Sequence, residues 1–144
     1  MRKKTKENTQ AKLALADFLS NNTNKTIEEA RIISDRFLEQ IQSKLQKNNL
    51  DSEFIFSALD NVEHNQPVYI KQTPFISLCE HHLLPFFGFV DVAIFPSSKI
   101  AGVSKFTDLI DNLSNQLTLQ EKLTEIIANT INDLLECEGV FVRI

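Results

Sequence analysis

The segment Phe87 to Phe95 constrains the fold of this chain more than any other. Phe87, Phe89, Asp91, Ala93 and Phe95 alternate with Gly88, Val90, Val92 and Ile94, the period of two that marks a strand. Apolar residues occupy both sets. A strand with one wet face would be polar at every second position, so both faces of this one need cover. Pro96-Ser97-Ser98 closes it. Val68 to Leu78 reads as an extended arm before it, and Val140-Phe141-Val142-Arg143-Ile144 as a further strand. A sheet of so few strands has exposed edges. Edge-to-edge assembly of copies into a homo-oligomer would satisfy those edges and cover the second apolar face.

Helical spacing flanks these strands. Thr26 starts a helix, with Thr26 and Glu29 placed as a capping box. Its apolar face runs Ala30, Ile33, Phe37, Ile41 and Leu45, at steps of three and four, and Lys47-Asn48-Asn49 ends it. Before it, residues 1–10 are polar and expected to be loose, Lys12 to Leu19 form a short helix, and Asn21 to Asn24 turn. Asp51 to Leu59 reads as a short helical or loop element, and Ile100 to Val103 as a brief extended piece. A second long helix begins near Thr118, with Leu119, Leu123, Ile127, Ile131 and Leu134 or Leu135 in one stripe, and Glu138-Gly139 breaks it. Helices, then a β arm and hairpin, then a helix and a strand predict an α+β protein with an antiparallel sheet.

Composition narrows the function. The chain has 144 residues, which fits one domain with a real core. A net charge of −4 and a pI of about 5.4 argue against a general binder of nucleic acid or acidic membrane, while leaving room for a local basic pocket. No apolar run of about 18 residues predicts a membrane span. The basic start Met1-Arg2-Lys3-Lys4 lacks the apolar stretch of a signal peptide. Two cysteines make no disulfide framework. The reading is a cytoplasmic protein with reduced thiols. With three glycines, a Gly-rich phosphate loop is excluded.

Against that background Cys79-Glu80-His81-His82 stands out. It concentrates one of two cysteines and two of three histidines in four residues. A Cys and a His at i, i+3 can turn toward one metal, and zinc accepts sulfur and nitrogen donors. A catalytic zinc takes about three protein ligands and an open position. The segment therefore supplies part of a site, or else an incidental cluster with a small buried thiol.

Ser77-Leu78-Cys79-Glu80-His81-His82, Pro85, Gly88, Phe95-Pro96, Gly102-Val103-Ser104-Lys105 and Leu119-Gln120-Glu121-Lys122-Leu123-Thr124 together resemble the GTP cyclohydrolase I family, from about Val68 to Ile144. The resemblance implies a tunnelling (T-) fold: an antiparallel sheet with two long helices on one face, closed into a barrel by oligomerisation, typically as pentamers paired into decamers. Residues 1–25 would be a polar, helical extension and residues 26–144 the T-fold domain. The implied reaction opens the imidazole ring of GTP, releases formate and yields 7,8-dihydroneopterin triphosphate, the entry to folate and pterins.

By the same resemblance Cys79 and His82 would bind zinc, which lowers the pKa of a bound water to about 7, and His81 would shuttle protons at the purine. Glu121 would bind the guanine edge with Gln120 beside it, and Ser104 and Lys105 would face the triphosphate. Each has a plainer reading. Glu121 follows Thr118 by three residues and fits a capping box. Lys105 fits a solvated lysine and Ser104 a turn or cap.

Three departures stand beside the match. The family's third zinc ligand, a second cysteine, falls past Ile144, so that ligand is not identified and the chain reads as C-terminally shortened. Asp108 stands where the family has an arginine, and Thr26-Ile27-Glu28-Glu29 where it has T-P-x-R. The alternative function is a catalytically impaired or inactive T-fold protein that binds a purine or pterin, or only oligomerises.

Overall fold

A computed structural model describes residues 2–45, 58–60 and 66–144. The chain divides into two compact units, Met1–Lys44 and Leu45–Ile144.

The first unit is a pair of helices, α1 (Arg2–Asn22) and α2 (Ile27–Leu45). The capping box forms at the start of α2. Glu29 N–H donates to Thr26 Oγ1 at 3.3 Å, and the Glu29 carboxylate accepts the Thr26 N–H at 2.9 Å. The seam between the helices is built on small side chains. Ala16, Ala30 and Ser34 are fully buried, and Ser34 Oγ donates to the Lys12 carbonyl at 2.6 Å. Lys12 Nζ reaches Asp35 at 3.3 Å and Glu39 at 3.4 Å, which raises its pKa, with the Asp35 hydrogen bond the largest cause. Two expectations are corrected. The first helix starts at Arg2 rather than near Lys12. In α2, Ala30 and Ser34 form the buried line while Ile33 and Phe37 are exposed. The expected helix end at Lys47–Asn49, and all but the end of the Asp51–Leu59 element, lie outside the described residues.

The second unit carries the sheet. Strands β2 (Val68–Cys79) and β3 (Pro85–Phe95) form a long antiparallel hairpin. Strand β6 (Gly139–Arg143) runs antiparallel along β3, and β5 (Leu117–Thr118) joins β2 in parallel, giving the order β5-β2-β3-β6. A separate short pair joins β1 (Leu59–Asp60) to β4 (Lys99–Ile100). Among the described strands the sheet is therefore mixed, the parallel step being the two-residue β5.

Helices α3 (Val103–Ser114) and α4 (Gln120–Leu135) supply the other half of the core. Phe106, Leu109 and Ile110 of α3 and Leu123, Ile127, Ile131 and Leu135 of α4 cluster with Ile70, Phe75, Val90, Val92 and Ile94. The α4 stripe buries as its spacing predicts. The extended piece expected over Ile100 to Val103 holds for Ile100, which lies in β4, and for Gly102, and helix α3 begins at Val103. Phe106, Leu109 and Ile110 follow the i, i+3, i+4 rule, but Gly102 before them gives no side-chain cap bond. The opposite sheet face leaves Tyr69, Phe87, Phe89, Phe95 and Phe141 exposed, Phe87 at 77%. This is the second apolar face foreseen in the alternation of β3.

One irregularity shapes the hairpin. Between the pairs Ile70↔Val92 and Thr73↔Val90, two residues of β2 oppose Asp91 alone, a β-bulge. Gln72 takes a φ of 57° there, a left-handed conformation that costs a non-glycine residue roughly 1 kcal/mol or more.

Candidate functional site

Strand β2 ends at Cys79, and residues 80–82 turn the chain back toward β3. Two main-chain bonds set this turn: Leu83 N–H to the Cys79 carbonyl and Cys79 N–H to the Leu84 carbonyl, both 2.9 Å. Leu83 takes a φ of 56° to close it. The turn brings Cys79 Sγ to 3.5 Å from His82 Nδ1. A tetrahedral zinc with Zn–S of about 2.3 Å and Zn–N of about 2.0 Å would space its sulfur and nitrogen roughly 3.5 Å apart. The donor pair thus has the chemistry and the spacing of two zinc ligands. Among the described residues no third Cys, His, Asp or Glu completes a cluster with them. The His81 ring lies edge-on to His82, with centroids 6.1 Å apart. Both histidines are exposed and Cys79 is half-buried.

The parallel pairing of β5 brings a distant segment to this turn. Leu78 pairs with Leu117 and Cys79 with Thr118, and Glu80 N–H donates to the Thr118 carbonyl at 3.1 Å. Helix α4 starts two residues later, with Gln120 and Glu121 exposed in its first turn. The side chains of Lys122 and Glu80 face each other at 4.0 Å. The capping box anticipated between Thr118 and Glu121 is absent. Thr118 is buried in the strand pair, Leu119 is the N-cap, and no side chain caps it. Glu121 is thereby released from the structural role that its spacing suggested. Gln120 Nε2 donates to the main-chain oxygen of Ile144 at 2.9 Å, tying the end of β6 to the same corner.

Ser104 and Lys105 stand in the first turn of α3, Ser104 exposed and Lys105 half-buried, and the Lys105 N–H donates to the Gly102 carbonyl at 2.9 Å. Among the described residues no hydrogen bond or ion pair links their side chains to the Cys79–His82 turn. The structure thus unites Cys79 with His82, and their strand end with the start of α4. Thr118, Glu80 and Lys122 entered this corner unforeseen. Their contacts depend on pairing between remote segments, which leaves no local periodicity.

The architecture is that of an α+β protein consistent with the T-fold, carrying a thiol–imidazole pair at one end of its sheet. A family model described as GTP cyclohydrolase I matches residues 11–144, and the chain belongs to that family. A GTP cyclohydrolase 1 of Streptococcus suis strain 05ZYH33 is 42% identical over 90 residues, 62% of this chain and 48% of that protein. A GTP cyclohydrolase 1 of Fusobacterium nucleatum is 36% identical over 115 residues, 80% of this chain and 62% of its own. The bifunctional protein FolKE of Lactococcus lactis is 37% identical over 110 residues, 76% of this chain and 31% of its own. The chain thus spans about half the length of the curated relatives it matches.

Proposed function

We propose that the chain is a GTP cyclohydrolase I-type hydrolase that opens the imidazole ring of GTP, releases formate and forms 7,8-dihydroneopterin triphosphate. The observation that carries this reading is the 3.5 Å approach of Cys79 Sγ to His82 Nδ1 at a strand end paired with the segment that opens α4. In this reading Cys79 and His82 hold zinc, with the third ligand unassigned. Zinc bound there supplies Lewis acidity and a water made acidic near neutral pH. His81 takes and returns protons at the purine, the task for which imidazole is the natural side chain near neutral pH. The Glu121 carboxylate accepts N1–H and the exocyclic amine of guanine as a pair, and Gln120 lies next to it. Ser104 and Lys105 bind the triphosphate, Lys105 as a compact positive charge.

The proposal extends to assembly. Copies of the chain close the sheet edges and shelter the aromatic face of Tyr69, Phe87, Phe89 and Phe141. No described helix is long and apolar enough to cross a membrane, and a cytoplasmic site of action fits free thiols and a GTP substrate. To test the activity, purified protein is supplied with zinc and GTP, and the product is oxidised and read as pterin fluorescence. No signal above a His82→Ala control would refute turnover.

One observation favours a second reading, a T-fold protein that holds a purine or pterin through Glu121 without turnover. Asp108 lies on α3 three residues after Lys105, on the same helix face. Its negative charge offsets the attraction that a triphosphate needs there. Protein that binds GTP yet releases no formate would decide for this reading.

A further inference from the structure

We propose that Gln120 is a positioning residue: it clamps the end of β6 to the first turn of α4 and so aims Glu121. The inference rests on the guanine-binding reading of Glu121 given above. Three observations carry it. First, the start of α4 has no cap of its own, because Leu119 offers no side-chain bond. Four amide groups at a helix start lack intrahelical partners, and such ends fray. Second, the core does not grip this turn. Gln120, Glu121 and Lys122 are all exposed, and the buried stripe begins only at Leu123. Third, the turn is nonetheless tied from two sides. The Thr118 carbonyl accepts Glu80 N–H from the Cys79–His82 turn, and Gln120 Nε2 donates to the Ile144 main-chain oxygen at 2.9 Å.

Successive helix residues point about 100° apart. When Gln120 is anchored on β6, Glu121 is set to a different side, and its direction is fixed by its neighbour's anchor. The Gln120 amide nitrogen is engaged with main chain rather than presented to a ligand. Gln120 therefore acts on the nucleobase through Glu121.

The test is a double-mutant cycle on zinc-loaded protein with GTP and ITP as probes, measured by calorimetric titration. Gln120→Met keeps the length and removes the donor. ITP lacks the exocyclic amine that Glu121 would accept, so the GTP-over-ITP preference reports the aim of Glu121. Gln120→Met is expected to weaken GTP binding about fivefold, the worth of one net hydrogen bond, and to shrink that preference. Glu121→Ala is expected to abolish the preference, and Gln120→Met to add nothing in that background. An equal loss from Gln120→Met with Glu121 absent would show direct ligand contact and overturn the proposal. So would unchanged GTP affinity in the single variant. If the parent protein binds no GTP, the reading of Glu121 falls, and amide exchange then judges the clamp. Gln120→Met should speed exchange at Glu80 and Leu123, and unchanged rates there would refute it.

Discussion

The carboxylate of Asp91 accepts the main-chain N–H of Gln72 at 2.8 Å across the β2–β3 hairpin. This bond meets the strain of the bulge where it arises, since Gln72 holds the left-handed backbone. The other carboxylate oxygen takes the guanidinium of Arg143 on β6. Asp91 thus joins three strands at one point, and both bonds favour its charged form. Its pKa is lowered from the ordinary 3.8, chiefly by the Gln72 amide, then by Arg143, with Lys71 adding a smaller pull.

The sign of the pH effect follows. A carboxylate whose folded pKa lies below its unfolded one contributes fully above the unfolded value and loses that contribution as pH falls through the folded value. Asp91→Ala should therefore lower the midpoint of urea unfolding at pH 7. The gap to the parent should narrow as pH drops below about 3.8. A gap that stays constant down to pH 2 would contradict the assignment.

At the thiol–imidazole pair, Cys79→Ser and His82→Ala should each weaken zinc binding by more than the ~10–100-fold typical of outer-shell changes. Chelator competition with a chromophoric zinc indicator measures this. The melting temperature of the zinc-free protein should be nearly unchanged, because Ser keeps the size of the half-buried Cys79, His82 is exposed, and main-chain bonds close the turn.

In the core, Ile127→Ala should cost about 2–5 kcal/mol, because the side chain is fully buried between the sheet and α3. Urea titration gives the number. Glu125→Ala on the exposed side of the same helix should change stability by less than about 0.5 kcal/mol.

On the outer sheet face, Phe89 and Phe141 are 62% and 63% exposed. Replacing both with Lys should shift the protein toward smaller species in light scattering after size exclusion, with the monomer's far-ultraviolet circular dichroism retained. An unchanged assembly mass would count against burial of this face between copies.

Much of this architecture is legible in the residues, and the rest is not for definite reasons. The β3 alternation and the Leu123–Leu135 stripe carry their own periods, and both elements form as read. Cys79 and His82 are close in sequence, so a turn suffices to join them. The residue-by-residue reading gives no helix at Val103–Ser114: Phe106, Leu109 and Ile110 keep helical steps there, yet the uncapped start after Gly102 reads as extended chain. The N-terminal half of α1 is polar and has no stripe to read; its partner α2 stabilises it through Ser34 and the Lys12 ion pairs. Strand β5 has two residues, too few for any period. The contacts of Thr118 with Glu80 and of Gln120 with Ile144 join remote segments and leave no trace in local spacing.

That two-residue ladder has a consequence for how the corner behaves in time. The core elements are bound by buried side chains, whereas Cys79 and Thr118 are held abreast by a parallel step of minimal length. Free energies of local opening vary across a protein, and sparse contacts open first. The corner bearing Cys79, His82 and Glu121 can therefore come apart and re-form while the hairpin and helices α3 and α4 stay packed, an opening that needs no global unfolding.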